Sequence, residues 1–397
     1  MPGPLHGLKV LDFSSLLPGP YATLMLADLG AEVLQVCAPS RPDLTSLMPP
    51  LVPECGVSAA TAYLMRNKRS IKLDLKHPAA ATVIRRLLKD HDILLEQFRP
   101  GVMARLGLDY DSLSACNSGL IYCSLTGYGQ TGPRRARAGH DINFIAFSGV
   151  ASYSGRRGEG PSPVGTQIAD LCAGAGHAVA SILAAVIHRH RTGEGQWLDV
   201  AMSDGMLALN ALDGAAFLVD GKEPEPENTL LNGGGLYDYY ETRDGRYLSC
   251  GALEPRFFGE FCAAIGRPEL AANYVTPEAM SSVKEEIREV IRGEPLDHWI
   301  AKFESHDACC EPVLTLGEAL EDPHTSAREM VVEVSVSSGA TVRQIGCPLK
   351  FSVTPPEYRH GGVLAGADTV AVLRGEGYTD AEIDEFAAGG LFGEGET

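Results

Sequence analysis

Short apolar runs alternate with helix-patterned segments over the first 125 residues, and this alternation limits the fold more than any other feature of the 397-residue chain. Residues 8–13 are rich in strand formers and end in Ser14-Ser15-Leu16-Leu17-Pro18-Gly19-Pro20; helical spacing then runs over 21–29, and Gly30 stands where a C-cap belongs. Residues 32–36 read as a second strand, which completes a βαβ unit. The pattern repeats as strand 71–75, helix 78–89, strand 93–96 and strand 120–125. Such alternation predicts a mostly parallel sheet covered on both faces, because parallel neighbours need a crossover helix. The first turn lacks Gly-x-Gly-x-x-Gly, so a dinucleotide is not favoured, although the helix start still offers free N–H groups to an anion.

Further along, 174–190 is an alanine-rich apolar helix stopped by Thr192-Gly193-Glu194-Gly195, 196–201 returns as a strand, and a helix is expected over 204–219. The polar, proline-punctuated stretch 220–227 reads as a linker. From there to about 325 the pattern is that of a separate, smaller α+β unit, with a hairpin at 237–251 and amphipathic helices near 255–265 and 283–303. Strand-like alternation resumes at Val331, and a small acidic helix follows at 380–386. The expected division is therefore 1–219, 220–325 and 326–397.

Charge narrows the partners. Lys+Arg 33 against Asp+Glu 51 gives −18, a balance opposed to nucleic acid, whose binding needs a positive face. The excess is uneven: residues 1–140 hold 15 Lys/Arg and 11 Asp/Glu, a net of +4, which leaves −22 for the remainder. A small polyanion is expected in the first third. The ten cysteines form no Cys-x-x-Cys and no Cys/His ladder, so no metal site is expected, and they read as reduced, mostly buried thiols of a cytoplasmic protein. No run reaches about 18 uninterrupted apolar residues, and no basic-then-apolar leader opens the chain, so no membrane partner is expected.

P-loop, serine-elbow and His-Glu-x-x-His signatures are absent. What remains are polar residues beside glycines at loop-to-helix junctions. Thr126-Gly127-Tyr128-Gly129-Gln130-Thr131-Gly132-Pro133 follows a strand, and Gly139-His140-Asp141-Ile142-Asn143-Phe144 opens a helix. With Asp141 as N-cap, the His140 imidazole and several unpaired N–H donors share one region, a pairing that suits proton abstraction beside a carbonyl; the same pattern fits a capping Asp next to a surface His. Asp170 precedes the apolar helix and reads either as its cap or as a base or nucleophile with raised proton affinity. Glu254 ends a strand, where solvated carboxylates are common, and Lys68, Arg69, Lys72, Lys76 and Arg99 fit a solvated basic face equally well.

Taken together and in order, Leu17-Pro18-Gly19-Pro20, Asp74-Leu75-Lys76, Phe98-Arg99-Pro100-Gly101-Val102, the segments 126–133 and 139–144, Asp170, Asp244-Gly245-Arg246-Tyr247, 251–255, Pro312-Val313 and Pro348-Leu349-Lys350-Phe351 resemble the family III CoA-transferase (CaiB/BaiF) and α-methylacyl-CoA racemase superfamily. The resemblance implies an interlocked homodimer. Each chain would have a Rossmann-like large domain, completed by the C-terminal segment, and a small domain lent to the partner's site. It implies a coenzyme A thioester as substrate and no permanently bound cofactor. Asp170 would be nucleophile in a transferase or base in a racemase, His140 the second base and Glu254 the carboxylate that holds the imidazole. Main-chain N–H groups near Asp141 would hold the enolate oxygen. Arg99, with Lys68, Arg69 and Lys72, would meet the CoA phosphates. Gln35 and Ala38 stand where many relatives carry a basic residue, with Arg41 as substitute; Phe144 replaces a frequent Tyr and Asn232 a frequent Asp. Asn232-Gly233-Gly234-Gly235 is the expected lid. Because both proton carriers are present, the leading expectation is a racemase of 2-methylacyl-CoA, with a CoA-transferase as the alternative and a silent CoA-binding scaffold as the third reading.

Overall fold

The computed structural model describes residues 2–53, 56–273 and 277–393. Six parallel strands, β1 (Lys9–Phe13), β2 (Glu32–Cys37), β3 (Lys68–Lys72), β4 (Ile93–Glu96), β5 (Ile121–Thr126) and β6 (Gln196–Ala201), form one sheet in the order β3-β2-β1-β4-β5-β6. The order reverses between β1 and β4, so the turns leaving these two strands flank the crevice where doubly wound sheets take their ligands. Both faces are covered, and β1, β4 and β5 are almost wholly buried, which accounts for their continuous apolar runs.

Three elements differ from the sequence pattern. Strand β3 starts at Lys68 rather than 71, because register pairs Val33 with Lys68 and Cys37 with Lys72; its charged sequence conceals it. The expected helix 204–219 is two, Met202–Ala208 and Asp213–Asp220, and 283–303 is likewise Pro277–Arg292 and Leu296–Phe303, parted by Gly293-Glu294-Pro295. The alanine-rich helix begins earlier, as a wide π-type coil over Ala169–Gly176 that continues into His177–Thr192 and stops at Gly193, whose φ of 79° is the usual left-handed ending. By length and composition Ala169–Thr192 is apolar enough to cross a membrane, which a count of uninterrupted runs does not register. Its small residues are used inside the fold: Ala173, Ala175, Ala178, Ile182 and Ala185 are at most 1% exposed, packed against the helix Pro18–Asp28 and β5.

The chain divides into two compact units. The larger comprises 1–145, 165–209 and 324–397; the smaller comprises 146–164 and 210–323. The N-terminal part of the large unit thus ends at Leu209 rather than 219, where Leu209–Leu212 breaks the helical path, and the segment 146–164 leaves it. Its C-terminal hairpin, β10 and β11 in chain order (Val331–Ser335 and Thr341–Ile345), is tied in by a fully buried guanidinium. Arg66 bonds Asp28 through two nitrogens, Gln344 Oε1 at 3.0 Å and the Ile345 carbonyl at 2.9 Å, between the rings of Tyr63 and Tyr358. The smaller unit has a three-stranded antiparallel sheet, β7 (Asp238–Glu241), β8 (Tyr247–Cys250) and β9 (Cys310–Pro312), over a core that includes Phe258, Phe261, Ile287 and Trp299. Within it the segment Asn232-Gly233-Gly234-Gly235 is pinned, which corrects the lid expectation. Asn232 Oδ1 accepts the N–H groups of Asn228 and Thr229, its Nδ2 donates to Tyr153 and Glu225 carbonyls, and Lys284 Nζ donates to the Gly233 carbonyl. The described thiols are all free, but Cys116, Cys172 and Cys309 are exposed, so burial is less general than expected; Cys55 lies outside the described residues.

Candidate active site

One aromatic ring locks the turn after β5 to the helix Asp141–Phe147. Phe144 is buried, and Tyr128 meets it edge-on with centroids 5.2 Å apart. A Cβ at Gly127 or Gly139 would stand 2.6 or 2.7 Å from that ring, so both positions must lack one. His140, the residue just before the helix, is thereby held at the surface, its N–H donating to Asn143 Oδ1 at 3.0 Å. That bond already occupies one of the main-chain donors expected to face an enolate.

Asp141 is not the N-cap that the local pattern predicts. It is the first residue inside the helix, and its Oδ1 accepts the N–H of Asp170 at 3.0 Å, a bond between positions 29 apart. Asp170 is not a cap either: it lies in the first turn of the helix that starts at Ala169. An acid there gains from the helix dipole. Nevertheless its carboxyl is pushed up to about 6, first by burial, then by the Asp141 carboxylate, against an opposite pull from His140. The large unit therefore brings Asp170, Asp141 and His140 into one electrostatically coupled group, with a carboxyl able to take or release a proton near neutrality.

The basic residues fare differently. Lys68 is fully buried, so the expectation that it meets a phosphate is corrected: its Nζ donates to the Pro20 carbonyl at 2.8 Å and Thr23 Oγ1 at 2.7 Å and lies 3.6 Å from Asp12 Oδ2. Because β3 begins at Lys68, strand alternation turns that side chain inward, and burial lowers its pKa to about 8. Asp12 in turn accepts the N–H and hydroxyl of Ser14, so this cluster fixes the β1 turn from below. Arg69 is exposed, 3.8 Å from Asp368 Oδ1; the Lys72 stem packs where a Gly366 Cβ would be, 2.7 Å away; Arg41, Lys76 and Arg99 are exposed. Glu254, in the smaller unit, is an exposed residue preceding the helix Pro255–Ala264.

Two consecutive residues escape the sequence reading. Gln97 Oε1 accepts the N–H groups of Ser15 at 3.3 Å and Gly19 at 3.2 Å, joining the β4 turn to the β1 turn across the switch point. Glu96, buried at the end of an apolar strand, is pushed up to about 7 by burial. A carboxylate closing an otherwise apolar run was the available signal.

The sequence pattern of CoA-transferase family III matches residues 5–369. The chain is 34% identical over 384 residues to human alpha-methylacyl-CoA racemase, across 96% of this chain and 95% of that one. It is 33% identical over 382 residues to succinate–glutarate CoA-transferase of Agrobacterium fabrum, across 93% and 95%. A crystal structure of a CaiB/BaiF family protein from Brucella suis superposes with a TM-score of 0.82 at 28% identity, covering 95% of this chain and all of that one. With the family pattern along most of its length and relatives of both activities, the chain belongs to CoA-transferase family III and is an enzyme acting on acyl-CoA, as a racemase or as a CoA-transferase.

Proposed function

We propose that this enzyme is a racemase of 2-methyl-branched acyl-CoA thioesters, in which Asp170 and His140 exchange the α-proton through an enolate. The observation that carries the reading is the Asp170 carboxyl, raised to about 6 beside Asp141 and His140. Inversion needs one group to remove a proton and another to return one, and matched proton affinities serve both directions. Ordinary carboxyls titrate roughly two units below ordinary imidazoles; burial brings this one into the imidazole range. The similarity to a racemase over 384 residues supports the same reading. Arg99, Arg69, Lys72 and Arg41 are proposed to meet the CoA phosphates. An interlocked homodimer and a cytoplasmic location complete the proposal, tested by light scattering and by cell fractionation.

The second reading, favoured by the similarity to a CoA-transferase, uses Asp170 as nucleophile. Its carboxylate attacks the thioester carbonyl, the C–S bond breaks and CoA leaves as thiolate. The thiolate re-attacks the aspartyl carbonyl of the anhydride and expels the donor carboxylate. An acceptor carboxylate then takes the CoA from the Asp170 thioester by the same two steps in reverse, which regenerates the Asp170 carboxylate. Deuterium wash-in at the α-carbon of 2-methylacyl-CoA in D2O, with no acceptor acid, separates the two. Exchange abolished in His140→Ala supports the racemase. No exchange, together with hydroxylamine trapping of acylated Asp170, supports the transferase.

A further inference from the structure

We propose that Glu96 is a positioning residue for the acyl-CoA: from beneath the turn after β4 it sets the main chain that, through Gln97, fixes both turns of the ligand crevice. This rests on the reading that CoA occupies the switch-point crevice between β1 and β4. Glu96 Oε2 accepts the Phe98 N–H at 2.7 Å, and the Ser124 hydroxyl bonds the same carboxyl while accepting the Trp197 indole N–H at 3.0 Å. Glu96 is 3% exposed and forms no ion pair among the described residues. Immediately next to it, Gln97 carries the two hydrogen bonds to Ser15 and Gly19, and a Cβ at Gly19 would collide with the Gln97 amide oxygen. One buried acceptor therefore controls the residue that holds the opposite turn.

A carboxylate is a stronger acceptor than a carboxylic acid or an amide, so the grip on Phe98 depends on charge. Glu96 lines a cavity of about 170 Å3 that also meets Arg99, which gives it room to exchange a proton. The titratable groups facing it are Arg99 from its own turn, Tyr122 and Cys123 from β5, Asp199 from β6, and Asp109, Tyr110 and Asp111 from the far wall. Burial and Asp199 favour its neutral form, while the Ser124 and Phe98 donors favour the charged one, with balance near neutrality.

The test is calorimetric titration of the full-length enzyme with free CoA between pH 6 and 9, with steady-state α-proton exchange alongside. Glu96→Ala is expected to weaken CoA roughly tenfold at pH 8, the loss of one charge-assisted hydrogen bond, with kcat at saturation within about twofold. Glu96→Gln keeps a weaker, neutral acceptor for Phe98 and is expected to recover only part of the affinity at pH 8 and to lose the rise between pH 6 and 8. Wild-type affinity in Glu96→Ala, or an unchanged pH slope in Glu96→Gln, overturns the positioning role. A wild-type enzyme that binds no CoA overturns the reading on which it rests, and the two failures are distinct.

Discussion

Replacing Asp141 by asparagine isolates one of the forces on Asp170. The amide oxygen of the introduced side chain still accepts the Asp170 N–H, so the backbone stays where the 3.0 Å bond holds it, while the like charge disappears. Asp170 stands about two units above its ordinary value, about 6 against 3.8, and burial is the larger cause. Burial survives the substitution, so D141N returns only the smaller part of that offset, and the ionised fraction at about pH 6, already about a half, rises by less than about twofold. A base must be ionised to act, hence the acid limb of kcat/KM for α-proton exchange moves to lower pH. Removing the opposite influence has the opposite sign. His140 lowers the Asp170 value, so in H140Q the same carboxyl, followed by difference infrared spectroscopy against D170N, titrates higher than in the parent. The assay is NMR detection of deuterium wash-in over pH 4.5–8 for D141N. An acid limb that stays put or climbs in D141N would refute the assignment of the perturbed carboxyl to this pair.

Gly139→Ala drives a Cβ against the Phe144 ring, and overpacking of this kind costs about 1–3 kcal/mol; urea unfolding reads the loss, and exchange falls because the start of the His140 helix is displaced. Arg66→Met leaves Asp28 buried with the Asn67 amide but no cation and is expected to cost about 3–5 kcal/mol in the same assay, with Asp28→Asn in the Arg66→Met background recovering part of it. Glu96 has its folded pKa raised from 4.5 to about 7, so its protonated form contributes stability present below pH 4.5 and lost as pH rises through 7. At about 1.36 kcal/mol per unit the loss approaches about 3 kcal/mol, and Glu96→Gln flattens it, as unfolding at pH 4.5 and pH 8 measures.

Legibility in the sequence follows locality. Strand β4 falls where its apolar run places it, since a strand buried on both faces writes its burial into consecutive residues, whereas β6, a partly exposed edge strand, falls at the expected 196–201 directly after the glycine stop at 193–195. Strand β3 does not, because Lys68 is neutralised by Asp12, Thr23 and the Pro20 carbonyl, none of them adjacent in sequence. His140 and Asp170 stand out as polar residues at helix starts, and His140 does stand just before its helix, but the capping roles read for Asp141 and Asp170 do not hold. Cap patterns are local, whereas the Asp141–Asp170 bond is made by tertiary packing that nearby residues do not encode. The supposed lid fails for the same reason: three glycines imply freedom, and the Asn232 amide and Lys284 remove it.

Buried ionisable groups bring little net stability, since desolvation offsets most of what their partners return. Their occurrence on both sides of the switch point therefore calls for a geometric reason. Beneath the β1 turn, the Lys68 ammonium holds the Pro20 carbonyl and Thr23, and Asp12 holds Ser14. Beneath the β4 turn, Glu96 holds the Phe98 N–H, and Gln97 links the two turns. Apolar side chains of equal volume would fill the same space but would not specify where a carbonyl or an N–H sits along the turn. Hydrogen bonds do, because they weaken steeply with angle and distance. Both turns are thus defined from their inner side, which leaves their outer main chain for a ligand that has no glycine-rich fingerprint to receive it. On this view the missing Gly-x-Gly-x-x-Gly is replaced by buried charge, and the phosphate-seeking lysine expected at 68 serves the crevice by shaping it from within rather than by touching what it binds.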